Sequence, residues 1–191
     1  MLASGRGERF LASGCQVHKL KALLAGKPVL QHVLDAVKAS GLPFHVEDAG
    51  HPGMGDSIAA AVRATPHASG WLILPGDLPL IQSATLLQLA EALEYAEVVI
   101  PVCNGQRGHP VGFARQCRDA LLGLQGNQGA ALVVKAYAAT EIIVDDAGVV
   151  TDIDTVADLE RAENLLGAGP PQRRGPAGTI ASHRSAARLQ S

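Results

Sequence analysis

Between Pro28 and Val37 the apolar residues fall at positions 29, 30, 33, 34 and 37. That is the spacing of one helical face, opened by Pro28 at an N1-like position and closed by Gly41. Pro43 to Glu47 is short enough for a strand, and Met54 to Ala64 reads as a second helix with Gly55 or Asp56 near its start. Trp71-Leu72-Ile73-Leu74 is a continuous apolar run, the pattern of a strand buried on both faces. A third helix is expected from about Ala84 to Leu93 behind Ser83 as N-cap, and then a buried strand at Val98-Val99-Ile100.

The second half is more broken. Cys103-Asn104-Gly105-Gln106 reads as a turn, Val111-Gly112-Phe113 as a short strand, and Gln116–Leu122 and Ala130–Ala138 as short helical stretches. Glu141–Val144 and Val149–Ile153 flank Asp145-Asp146-Ala147-Gly148, which predicts a hairpin. Thr155-Val156-Ala157-Asp158 is a capping box opening a last helix to about Leu166. Strands alternating with helices predict an α/β domain, Rossmann-like, with a mostly parallel sheet, flanking helices and a small antiparallel portion. Ligands in such sheets lie beyond the carboxyl ends of the strands. That rule singles out Ser4–Arg9, Gly53–Ser57, Pro75–Pro79 and the turn before Thr155.

Composition narrows the partners. The 191 residues are 47% hydrophobic and 18% charged, enough for one domain with a real core. Only 3% are aromatic, too few for base-stacking platforms. From Gly167 onward there are four arginines and no acid, so residues 1–166 hold all 18 acids against 12 Lys and Arg, a net charge of −6. An acidic body argues against nucleic acid as a partner. Residues 1–166 are expected to be a single domain and 167–191 a disordered tail, by their Gly-Pro-Ser-Arg composition. Cys15, Cys103 and Cys117 show no metal-ligand or disulfide spacing. No apolar run approaches the ~18 residues of a membrane span and no signal-peptide core opens the chain, so the expected compartment is the cytoplasm, with no membrane partner.

Five segments carry candidate chemistry. Leu2-Ala3-Ser4-Gly5-Arg6-Gly7-Glu8-Arg9-Phe10 lets backbone approach a polyphosphate at its glycines, and Arg9 with Lys19 supplies positive charge. It is neither a P-loop nor a three-glycine dinucleotide fingerprint, and taken alone a glycine-arginine stretch at a terminus is more often a frayed end. Asp77, in Pro75-Gly76-Asp77-Leu78-Pro79, follows a buried strand; it either holds Mg²⁺ against phosphates or caps the next helix. Asp154, in Asp152-Ile153-Asp154-Thr155, is a second metal ligand or an N-cap. Gly53-Met54-Gly55-Asp56-Ser57-Ile58 opens a helix with free amides, a phosphate or base site or else a plain turn. Arg107-Gly108-His109-Pro110 reads as an anion site on the acceptor side or as an exposed loop.

In this order, together with Gly26-Lys27-Pro28-Val29-Leu30 after Lys19-Leu20, these strings resemble the MobA-like nucleotidyltransferases of molybdenum cofactor biosynthesis over residues 2–166. The cytidylyl-transferring (MocA-like) branch looks closest, because Ala3-Ser4-Gly5 and His18-Lys19-Leu20 stand where guanylyl-transferring relatives carry two early glycines and an Asp-Lys pair. The resemblance implies a nucleotide-diphospho-sugar-transferase-like fold. It implies transfer of CMP (or GMP) from CTP (or GTP) to the terminal phosphate of molybdopterin with release of pyrophosphate. Arg9, Lys19 and Asp77 would be catalytic, and Asp77 and Asp154 would hold Mg²⁺. Ala3, Ser4, Gly5, Gly7, Arg9, Lys19, Gly55, Ser57 and Gly76 would bind nucleotide, and Arg107, His109 and Asn127 the acceptor.

Three departures from the family pattern accompany it. Only Met1 to Ala3 precede the glycine loop where relatives have a strand, which leads one to expect a further N-terminal piece. Only Leu42–Pro52 stand where relatives have another helix and strand. Asn127, in Gly126-Asn127-Gln128-Gly129, replaces an aspartate often found there. Two alternatives stay open: a different small phosphorylated acceptor, and a non-catalytic nucleotide-binding protein serving a molybdoenzyme or its chaperone.

Overall fold

The computed structural model describes residues 1–5 and 7–167; Arg6 and the segment from Ala168 onward, where the sequence predicts a disordered tail, lie outside it. In chain order the elements are α1 (Glu8–Ala12), β1 (Leu23–Leu24), β2 (Lys27–Pro28), α2 (Val29–Ser40), α3 (Met54–Ala64), β3 (Gly70–Ile73) and α4 (Ser83–Ala92). Then come β4 (Val98–Cys103), β5 (Gln106–Arg107), β6 (Val111–Ala114), α5 (Arg118–Leu122), α6 (Ala131–Ala136), β7 (Ala139–Ile143) and α7 (Val156–Gly167). Among the described residues no helix is long and apolar enough to cross a membrane.

The sheet is mixed. β6 lies between β3 and β4 and pairs antiparallel with both, while β7 runs parallel along β4. β5 folds back on β4 through Asn104 and Gly105, both at positive φ. At the other end Leu2 is held between Glu47 and Pro75 by parallel bridges on both sides. Four backbone bonds of 2.8–2.9 Å make them: Leu2 N to Leu74 O, Gly76 N to Leu2 O, Ala3 N to Glu47 O, and Glu47 N to Met1 O. The expected α/β class with flanking helices is present, with a larger antiparallel share than the hydrophobic pattern suggests.

Helices cover both faces. Ile58 and Val62 of α3 and Leu121 of α5 pack with Trp71, Val98 and Phe113. Val33 and Val37 of α2 and Leu86 of α4 pack with Leu74, Leu78 and Val144. Each such side chain contributes roughly 1.5–3 kcal/mol on burial. A third cluster joins Phe10, Leu20, Leu24, Val29, Ile153 and Ala162, all buried, beneath the loops that carry the site.

Two predicted strands are corrected. Pro43–Glu47 reduces to the single bridge at Glu47. The second arm of the hairpin is absent, and Ala147–Val150 forms a 3₁₀ turn. The cause is Asp146, whose buried carboxylate accepts bonds from Gln82 N (3.0 Å), Thr85 Oγ1 (2.7 Å) and Gly148 N (2.9 Å). These draw the segment onto the start of α4, whose N-cap is Gln82 rather than Ser83. The capping box of α7 forms as expected: Asp158 N donates to Thr155 Oγ1 at 3.2 Å, and Thr155 N to an Asp158 carboxylate oxygen at 2.8 Å.

Candidate active site

Arg9, Lys19, Asp77 and Asp154 each have a buried apolar neighbour in sequence. Phe10 follows Arg9, Leu20 follows Lys19, and Ile153 precedes Asp154; all three join the cluster beneath the loops. Leu78, next to Asp77, is buried in the adjoining cluster. Burying each apolar partner turns the adjacent polar side chain toward the opening above. A further tie comes from Ile153 N, which donates to Asp77 O at 2.9 Å and fixes the two acidic segments side by side.

The opening is a cleft of about 970 Å³ beyond the end of β3. At its floor Lys19 Nζ donates to Asp77 Oδ2 (2.5 Å) and Asp154 Oδ1 (2.8 Å), and Arg9 reaches the other Asp154 oxygen at 2.7 Å. Lys19 is only 12% exposed, against 80% for Arg9, so the lysine is the shielded member of the pair. Burial alone would lower the Lys19 pKa; the carboxylates of Asp77 and Asp154 outweigh it and hold the ammonium above its ordinary value. Asp77 Oδ1 is buried and has no hydrogen-bond partner among the described residues.

Around this floor the structure gathers most of the predicted residues. Ser4, Gly5, Gly7, Ser57, Gly76, Arg107, His109 and Asn127 line the same cleft as Arg9, Lys19, Asp77 and Asp154. Ser4 Oγ and Ser57 Oγ are 2.8 Å apart, stitching the glycine loop to the start of α3. A Cβ on Gly76 would sit 3.0 Å from Leu2 O, so this glycine permits the close approach of Leu2. Ala3 and Gly55 do not line the cleft. Gly55 is instead pressed against the turn at Gln125–Gln128, where a Cβ would lie 2.8 Å from backbone atoms, and its N–H donates to Gly126 O.

The Arg107–Pro110 segment is anchored by Gly108, where a Cβ would fall 2.2 Å from Val149 O, and by His109 N donating to that same oxygen at 2.8 Å. Burial in the cleft wall lowers the His109 pKa, against the raising influence of Asp77 and Asp152. Arg107 is tied to Glu141 through two nitrogens at 2.6 and 2.7 Å. Two features escape sequence reasoning. His51 lines the cleft and bonds the buried Glu47, whose partners are scattered over residues 45–51 with no motif to mark them. His18 bridges the glycine loop and the lysine segment, and only its place before Lys19 pointed to it.

Residues 1–142 match the family model described as the MobA-like NTP transferase domain. The chain belongs to the MobA-like NTP transferase family. Among curated relatives, the bifunctional protein GlmU of Syntrophomonas wolfei is 28% identical over 141 residues, covering 62% of this chain and 31% of that protein. This chain therefore spans less than a third of that relative's length. Among solved structures, Rv0371c of Mycobacterium tuberculosis superposes with a TM-score of 0.74 at 22% identity, covering 85% of this chain and 95% of that one. The same protein is also known as a manganese complex. Molybdopterin-guanine dinucleotide biosynthesis protein A of Archaeoglobus fulgidus gives a TM-score of 0.63 at 19% identity, with coverages of 87% and 97%. These neighbours share the fold of this chain.

Proposed function

We propose that this chain transfers a nucleotidyl group, CMP from CTP before GMP from GTP, to the terminal phosphate of a molybdopterin-type acceptor and releases pyrophosphate. The observation that carries the reading is the convergence of Asp77 and Asp154, 77 residues apart in sequence, on one half-buried lysine beneath a glycine loop. Family membership supports the reaction class. Ala3-Ser4-Gly5 and His18-Lys19-Leu20 support cytidylyl transfer through the branch they resemble.

The donor set suits a divalent cation. Asp77 Oδ1 is a buried oxygen lacking a donor, and Asp154 shares a cation with the same carboxylate. No group of three or more His, Cys, Asp or Glu able to hold a metal occurs among the described residues. Two carboxylates completed by phosphate and water is what Mg²⁺ takes. When bound there, Mg²⁺ would neutralise charge on the α-phosphate and the departing pyrophosphate.

The chain's own residues do the rest. Ser4, Gly5 and Gly7 receive the polyphosphate, Ser57 supporting them. Lys19 and Arg9 place positive charge where the leaving group gathers negative charge. Gly76 lets Leu2, and with it the start of the glycine loop, approach closely. Arg107, His109 and Asn127 form the acceptor wall, so that the acceptor phosphate lies in line with the bond to be broken. The acceptor phosphate is already ionised, so no general base is required for its attack.

Pyrophosphate release with molybdopterin and each NTP, beside a panel of other phosphorylated acceptors, tests the assignment. Release with CTP and molybdopterin is expected; Asp77→Ala turning over at the wild-type rate would overturn it. The curated relatives named GlmU favour a second reading, in which the acceptor is another small phosphate ester and the same assay identifies it. Nucleotide binding without pyrophosphate release from any acceptor would leave a binding protein for a molybdoenzyme partner.

A further inference from the structure

His18 is the N-cap of the 3₁₀ turn Lys19–Lys21 that carries the site lysine, yet its ring points two ways. Nε2 lies 2.7 Å from Gly5 O, and Nδ1 accepts the Leu20 N–H at 3.3 Å. A carbonyl can only accept and an amide N–H can only donate, so the two bonds together require one form of the ring: neutral, with its proton on Nε2. The same ring lies directly under the glycine loop. A Cβ on Gly7, a residue at φ +66°, would fall 3.2 Å from Nε2 and 3.3 Å from Cδ2. Gly7 therefore does more than permit a left-handed turn, since its lack of a side chain lets the loop seat on the imidazole.

We infer that His18 is the positioning residue of the nucleotide loop: its Nε2–H holds the Gly5 carbonyl and so sets the distance between the glycine loop and Lys19. This role rests on the nucleotidyltransferase reading. The physical argument concerns dipoles. A loop that receives a polyphosphate must present N–H groups and keep its carbonyl oxygens away from the phosphate oxygens. Gly5 lines the cleft, and the His18 bond commits its carbonyl to the ring. Without that bond the carbonyl is free to turn toward the ligand, and the loop must be ordered at the moment of binding, which weakens affinity.

The two ring bonds can be separated by substitution. His18→Asn keeps an acceptor for Leu20 N but does not reach Gly5; His18→Gln places an amide donor within reach of Gly5 O and gives up the cap; His18→Ala loses both. With the full chain, CTP and Mg²⁺, His18→Asn and His18→Ala are expected to raise both the CTP dissociation constant and its KM about five- to tenfold, the scale of one hydrogen bond. For both variants kcat should stay within about twofold of wild type, because the reacting atoms are untouched. His18→Gln should restore affinity to within about threefold of wild type, even where it melts lower than His18→Asn. CTP binding by His18→Asn equal to wild type, or by His18→Gln as weak as His18→Ala, overturns the role. Long-range ¹H–¹⁵N NMR of the nucleotide-free wild type supplies a readout independent of turnover: a neutral ring protonated on Nδ1 contradicts it. Wild type that binds no NTP overturns the nucleotidyltransferase reading and this role with it, whereas binding by wild type with His18→Asn unchanged overturns this role alone.

Discussion

At the scale of single residues the site is a set of charges whose directions are fixed from below. Lys19 bridges two carboxylates that would otherwise repel each other in a shielded place, so its loss is felt twice. Lys19→Met is expected to lower the rate of pyrophosphate release roughly 10²–10³-fold, the cost of one lost electrostatic donor, with the Asp77–Asp154 repulsion added to the folding free energy. Steady-state kinetics and a urea melt measure the two parts separately. Asp158 acts at one remove: its carboxylate accepts from Thr155 N and also from Asp154 N at 3.2 Å, and so holds the backbone of the second acidic site residue. Burial raises the Asp158 pKa, but the Thr155 and Asp154 donors together with Arg161 lower it below the ordinary value. A lowered folded-state pKa means that the stabilisation is present above the unfolded value, near 3.8, and is lost as pH falls through the folded one. Asp158→Asn should therefore cost roughly 1 kcal/mol at neutral pH and flatten the loss of stability over that acid window, measured by chemical denaturation at stepped pH.

Among the elements, the helices were the most legible. The boundaries of α3, Met54 to Ala64, were readable because its own apolar spacing and flanking glycine and threonine define them. The segment after β7 was not readable, because nothing local reveals where Asp146 sends its carboxylate. A turn-forming Asp-Asp-Ala-Gly string is the same whether it closes a hairpin or reaches across to Gln82 and Thr85. The site shows the same division: Asp77 stood out by its position after β3 and Asp154 by its place just before a capping box, whereas His51 and Glu47 are placed only by the fold. Asp146→Ala leaves the Gln82 and Gly148 amides without their acceptor and should destabilise the protein by about 2–4 kcal/mol. A thermal or urea melt checks this. Gly148→Ala should act in the same direction through a collision with Leu80, whose carbonyl oxygen lies 2.3 Å from the added Cβ position.

For the whole molecule, the cleft is the meeting place of both ends of the described chain and of its middle, so ligand binding draws on the global fold. A ligand that binds the folded state alone stabilises it by about 2.7 kcal/mol at a hundred times its dissociation constant. Thermal shift with CTP is therefore expected to be clear with Mg²⁺ and smaller without it, since Lys19 and Arg9 alone must then offset the carboxylates of Asp77 and Asp154 together with the triphosphate. An equal shift with and without Mg²⁺ contradicts the metal role given to those two residues. The same titration with GTP ranks the bases.

The pairing of these site charges with buried neighbours (Arg9 with Phe10, Lys19 with Leu20, Asp154 with Ile153) makes the cleft sensitive to length. On the wall that carries these residues core and charge share one register, so an insertion or deletion of one residue there would disturb both together. The opposite wall, built on the turns at Gln125–Gln128 and Arg107–Pro110, is seated by Gly53, Gly55 and Gly108, against each of which another stretch of backbone closes. A one-residue slip would misplace the side chains of the first wall, whereas a single added methyl group would push apart the turns of the second.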